Sequence, residues 1–149
     1  MVTWHLTIDC ADPARMVAFW GPALGYEVPP PPEGHATWND WYRSVGVPDE
    51  ELDPNGDGAD RLHDPAGCGP RIWFQQVPEP KQVKNRFHLD LDPTGPDPRS
   101  LPIERRREIV ETAVAERLAA GATVLRRNDD HGGYAVLMAD PEGNEFCVS

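Results

Sequence analysis

The chain has 149 residues, 39% of them hydrophobic and 26% charged, an ordinary globular composition with room for one domain or two small modules sharing a core. A formal charge of −11 and a pI near 4.7 argue against nucleic acid or an anionic membrane as partner, since both need clustered Lys and Arg. No apolar run approaches the ~20 residues of a membrane span, and the N-terminus lacks a basic region followed by an apolar one. The three cysteines, Cys10, Cys68 and Cys147, have no CxxC spacing, so reduced thiols in a cytoplasm are expected.

Residues 3–9 read as a first strand. Asp12-Pro13 then starts a helix, with Asp as N-cap and Pro at the first helical position, where its missing N–H costs nothing. Met16, Val17, Phe19, Trp20, Ala23 and Leu24 form an apolar stripe that Gly25 ends, and Pro22 predicts an irregular last turn. Tyr26 to Val28 begins a strand that the prolines at 29–32 close.

The segment 33–58 is the least regular. A short amphipathic helix is expected over 36–46, with Trp38, Trp41, Tyr42 and Val45 on one side, either as an aromatic lid over a cavity or as packing. Asp53, Asn55, Asp57 and Gly58 mimic the start of a calcium loop, but the twelfth position would be Asp64, which a turn already claims. Strands are expected at 59–63 and 71–77, joined by the turn Asp64-Pro65-Ala66-Gly67. His35, His63 and His131 fall in or beside loops and read as surface residues.

A second half begins with a strand at 86–92, followed by a Pro/Gly/Asp-rich loop and a longer helix, roughly 102–120. Its buried stripe is Ile109, Val110, Ala113, Val114, Leu118 and Ala119, and Gly121 stops it. Strands at 122–127, 134–138 and 146–148 follow, with a turn through His131 and another at Asp140-Pro141-Glu142-Gly143.

The halves echo one another. His5-Leu6-Thr7-Ile8-Asp9 repeats as His88-Leu89-Asp90-Leu91-Asp92. Leu24 to Val28 answers Ala120 to Val124, and Asp64 to Gly67 answers Asp140 to Gly143. Three echoes in the same order predict two βαβββ modules, residues 1–80 with an inserted helix and loop about 33–58, and residues 81–149. Side chains alternate across a strand, so each first strand puts His and two polar residues on one face and aliphatic residues on the other. The two histidines are expected to line one site.

This pattern resembles the vicinal oxygen chelate superfamily, which includes glyoxalase I, bleomycin-resistance proteins and extradiol dioxygenases. The residues carrying the likeness are His5, Asp12 and the helix to Leu24-Gly25, then Val77 to Lys81, Lys84 to Leu91 and Asp140 to Cys147. The resemblance implies an α+β fold in which two βαβββ modules form a curved mixed sheet around a cleft, usually in a homodimer. It also implies metal ligands from the first and last strands of each module. Carried over by position, His5 and His88 match first-strand ligands and are the candidate catalytic residues. Trp73 or Gln75, and Glu145 and Cys147, stand on the last strands as candidate ligand-binding residues. Where metal-binding relatives place a Glu seven residues after the Asp of the turn, this chain has Cys147.

Two functions follow from the resemblance. One is a lyase, isomerase or ring-cleaving enzyme for a small polar molecule, with His5 or His88 as ligand or general base. A divalent Zn, Ni, Mn or Fe ion would sit on His5, His88 and Cys147, while the missing carboxylate speaks against any metal. The other is a metal-free protein that sequesters an aromatic or cationic compound. Turnover of the glutathione–methylglyoxal hemithioacetal is expected to be absent.

Overall fold

The computed structural model describes residues 3–130 and 132–149; His131, where a turn is expected from the sequence, lies outside them. The chain divides into two compact units, Met1–Pro80 and Lys81–Ser149. Each is a mixed sheet with a helix on one face, so the class is α+β.

In the first unit, β1 (His5–Cys10) runs into α1 (Pro13–Leu24), then α2 (Trp38–Ser44), β2 (Arg61–Leu62) and β3 (Arg71–Gln76). The Asp12 carboxylate accepts the Arg15 N–H at 3.0 Å, Pro13 opens the first turn, and Gly25 closes the helix at φ 68°. Pro22 removes one N–H from the last turn without ending the helix, which continues to Leu24. Met16, Phe19 and Trp20 on α1 are buried, as are Leu62, Ile72 and Phe74 on the strands it covers. Burial of side chains of this size contributes roughly 1.5–3 kcal/mol each. The expected strand at 26–28 reduces to one antiparallel bridge between Glu27 and His63, because the prolines that follow cannot donate to a ladder.

The second unit contains β4 (Asp90–Leu91), α3 (Ile103–Ala119), β5 (Thr123–Asp130), β6 (Gly133–Ala139) and β7 (Glu145–Val148). Val110, Ala113 and Val114 of α3 are buried, together with Val136, Met138, Phe146 and Val148 of the sheet. The expected strand over 86–92 is paired only at Asp90 and Leu91.

The two sheets share one topology. Strand order is β1-β3-β2 in the first, with Glu27 bridging the residue after β2, and β4-β7-β6-β5 in the second. In both, the first strand lies parallel to the last and the last is antiparallel to the one before it. The Asp turns are also built alike. The Asp64 carboxylate accepts backbone N–H groups from Ala66, Cys68 and Gly69 at 2.7–2.9 Å. Asp140 accepts those of Glu142 and Asn144, both at 2.9 Å, and the Asn144 side-chain amide. Gly67 (φ 69°) and Gly143 (φ 87°) complete the turns in the left-handed region that favours glycine.

Asp140 is only 3% exposed, so losing its carboxylate would strand two part-buried N–H donors beside β7. Asp140→Ala is expected to destabilise the protein by roughly 2–4 kcal/mol. Asp64→Ala, at a more open turn, should cost clearly less. Urea unfolding midpoints of the two variants check the order; equal shifts would show that burial does not set the cost.

Candidate functional site

The parallel pair β4–β7 sets Asp90 opposite Cys147 and Leu91 opposite Val148. Backbone bonds from Cys147 N to Leu89 O and from Ser149 N to Leu91 O, both 3.0 Å, hold this register. With a period of two, His88 and Asp90 share the face that carries Cys147, while Phe146 and Val148 go to the helix-covered face. His88 Nε2 lies 3.2 Å from Asp90 Oδ1. The ligand atoms of His88, Asp90 and Cys147 all lie within 4.8 Å of one another, the only such convergence of three His, Cys, Asp or Glu side chains among the described residues. His88 and Asp90 are exposed and Cys147 is half-buried, so the cluster is open on one side.

The Cys147 thiol is pushed above its ordinary pKa, first by burial and then by the neighbouring Asp90 charge, to which it hydrogen-bonds; Lys84 and Arg126 oppose this weakly. It is therefore a proton-bearing ligand candidate rather than an activated nucleophile. Glu145, one alternation earlier on β7, is engaged by the Lys84 ammonium, which holds its carboxyl below the usual range, with Lys81 and His88 adding to the effect. Glu145 thus answers a lysine instead of joining the cluster.

Residues at equivalent positions of the first unit have different chemistry. His5 pairs in register with Arg71, Thr7 with Trp73 and Asp9 with Gln75. The Trp73 indole is a donor only, and its Nε1–H is given to Asp60 Oδ2 at 2.8 Å, so it offers no metal ligand. Trp73 and Gln75 instead line an open cavity of about 1010 Å³ in this unit, together with Tyr42 and Asp60. His5 is not among the residues lining it. The calcium-like loop does not form a cage: Asp53 Oδ1 accepts from Asn55 N and Asp57 Oδ1 from Ala59 N, each folded onto its own turn.

Of the residues proposed from sequence, His88 and Cys147 are brought together, with Asp90 between them. Asp90 escapes a search by motif, but its signal is there in the strand: it stands one alternation after His88. The missing information is the parallel register.

Residues 5–149 match the family model described as a glyoxalase-like domain. The chain belongs to that family. Solved structures of the glyoxalase/bleomycin resistance/dioxygenase superfamily share its fold. A family enzyme from Burkholderia phytofirmans PsJN is 19% identical with a TM-score of 0.57, covering 97% of this chain and 94% of its own. A fosfomycin resistance protein, FosX, from Listeria monocytogenes, complexed with Mn(II) and 1S,2S-dihydroxypropylphosphonic acid, is 11% identical with a TM-score of 0.53, covering 99% and 90%. An oxidase, ChaP-H2, is 13% identical with a TM-score of 0.52, covering 99% and 91%. No curated protein matches in sequence. No helix among the described residues of this glyoxalase-like chain is long and apolar enough to cross a membrane.

The Asp90 charge makes a prediction about the thiol. Asp90→Asn removes an influence that raises the Cys147 pKa, so at pH 8 the thiolate fraction and the rate of iodoacetamide alkylation at Cys147 should both rise. Peptide mapping by mass spectrometry, with exposed Cys68 as internal reference, measures it; an unchanged Cys147/Cys68 rate ratio would mean the two groups are not coupled.

Proposed function

We propose that this glyoxalase-like protein is a small-molecule enzyme that uses one divalent metal ion held by His88, Asp90 and Cys147. The convergence of these three donors within 4.8 Å carries the reading. An imidazole, a carboxylate and a thiol are a mixed N/O/S set, softer than the all-oxygen sets that calcium and magnesium select, and suited to zinc. Three protein donors with one open side are the pattern of a catalytic rather than a structural zinc site. The structural neighbour FosX, complexed with Mn(II) and a small polar organic acid, gives the fold a precedent for holding both together.

When bound, the ion would supply Lewis-acid polarisation of a substrate oxygen. The remaining roles fall to the chain itself. Asp90 lies within reach of both His88 and Cys147 on the face that the strand register gives all three. Binding of an ion there would release the thiol proton that Cys147 now gives in its hydrogen bond to Asp90. Lys84 binds Glu145 beside the cluster and holds that carboxylate out of the donor set. The donor set has a thiol, Cys147, at the last-strand position where the resemblance implies a carboxylate, which makes glutathione hemithioacetal a poor candidate among lyase, isomerase and oxygenase substrates.

Purified protein incubated with zinc and desalted should retain one equivalent. His88→Ala and Cys147→Ser should each lower affinity by about 100-fold or more. Cadmium should give an ultraviolet thiolate charge-transfer band that Cys147→Ser abolishes while the far-ultraviolet circular dichroism is unchanged. Folded protein that takes up no zinc and no cadmium would refute the reading.

A further inference from the structure

The row of paired residues that sets Asp90 opposite Cys147 continues across the second sheet. Cys147 pairs with Leu137 on β6, and Leu137 pairs with Arg126 on β5. Residues paired across a sheet share a face, so Arg126 stands on the same side as His88, Asp90 and Cys147. Adjacent strands lie about 4.8 Å apart, which puts the Arg126 backbone about 10 Å from that of Cys147.

Arg126 reaches this face only because β5 is irregular. Val124 pairs with Met138, so in an unbroken ladder Leu125 would meet Leu137 and Arg126 would turn toward α3. The register shift between Val124 and Arg126 inserts one residue and brings Arg126 opposite Leu137 instead. Leu125 is left 50% exposed by this arrangement. The next residue, Arg127, takes the helix face and donates from Nε to Glu111 at 2.9 Å. Two consecutive arginines are thus divided between the helix and the donor cluster.

Arg126 is exposed and makes no ion pair among the described residues. Its charge reaches the cluster, where it acts on the Cys147 thiol together with Lys84. The chain has only two lysines, Lys81 and Lys84, and both act on Glu145 beside the cluster. Lys84 bonds that carboxylate, whereas the Lys81 ammonium donates to the neutral Val83 carbonyl. With a divalent ion bound, Asp90 and the Cys147 thiolate would balance its two charges, and Glu145 balances Lys84. Arg126 and Lys81 are left over. A local positive surplus runs against the chain's formal charge of −11 and draws anions to this face.

Between the thiol and Arg126 the floor is Leu137, flanked on the same face of β6 by the small side chains of Ala135 and Ala139. This floor offers a ligand no side-chain hydrogen bond, so recognition falls to the two ends of the row. A guanidinium presents paired N–H donors that match two oxygens of a carboxylate or phosphoryl group.

We propose that the His88–Asp90–Cys147 site takes a small organic anion, whose carboxylate or phosphoryl group pairs with Arg126 while another of its oxygens faces the cluster. The contact of that second oxygen rests on the metal reading; anion recognition by Arg126 does not, and it can be tested without an ion.

In metal-free protein, the ratio of Cys147 alkylation rates with iodoacetate and with iodoacetamide cancels the thiolate fraction and reports anion preference alone. Arg126→Gln should lower that ratio about threefold at Cys147 and leave it unchanged at exposed Cys68, and Arg126→Lys should restore it. In zinc-loaded protein, calorimetry should show one-site binding of malonate or phosphonoacetate, the tighter of the two identifying the anionic group. Arg126→Gln should weaken it about tenfold with zinc retention unchanged, and neutral malonamide should bind far more weakly. An alkylation ratio indifferent to Arg126→Gln, no binding of either anion to protein that holds zinc, or equal affinity for malonamide would each overturn the proposal. Failure to take up zinc, with the ratio still dependent on Arg126, would sink the metal reading and leave the anion site standing.

Discussion

The parallel pairing of first and last strands within each unit is the constraint on which the candidate site rests. Because side chains alternate with period two, one fixed pair fixes the face of every residue along both strands. In the second unit, the pair Asp90–Cys147 is held by the burial of Phe146 and Val148 on the opposite face of β7. A one-residue slip would drive those two side chains into water, at roughly 1.5–3 kcal/mol each, and turn Cys147 under the helix. The same hydrophobic selection that makes the sheet thus aligns the nitrogen, oxygen and sulfur donors.

The first unit keeps the scaffold and changes the payload. Its first strand has the same register against its last, and its Asp turn receives backbone N–H groups in the same way. Yet Thr7 stands where the second unit has Asp90, and Trp73 stands where it has Cys147, so the donor cluster has no counterpart. Trp73 is instead drawn away by Asp60, and the irregular segment before β2 builds a different kind of wall. The shared topology supplies two equivalent faces; the side chains decide that one gathers ligand atoms and the other presents rings and charge.

Features governed by short-range chemistry were legible in the sequence. The Asp12-Pro13 helix start, the Gly25 stop and the two Asp turns depend on residues within a few positions of each other, and their side chains announce them. The strand expected over 86–92 was overextended because alternation alone does not say how much partner strand is available. β7 leaves the Asp140 turn at Glu145, and only Asp90 and Leu91 find ladder partners on it. Asp90 was visible as a polar residue on the His88 face, but its role needed the non-local register. The Tyr42–Asp60–Trp73 contacts span 18 and 13 residues of irregular chain, beyond what periodicity can reach.

The chain's acidic residues stand in two different geometries. A small ion loses its hydration shell on binding and regains that energy only where donors converge on one point, as His88, Asp90 and Cys147 do. In the first unit the carboxylates are dispersed along the cavity wall instead. Asp60 there holds Trp73 without using the carboxylates of the Asp49–Glu51 turn, only one of which, Asp49, is tied to an arginine side chain by a hydrogen bond. An excess of acidic residues is thus not a uniform property of this surface; where the carboxylates meet, and what stands beside them, decides what each one contacts.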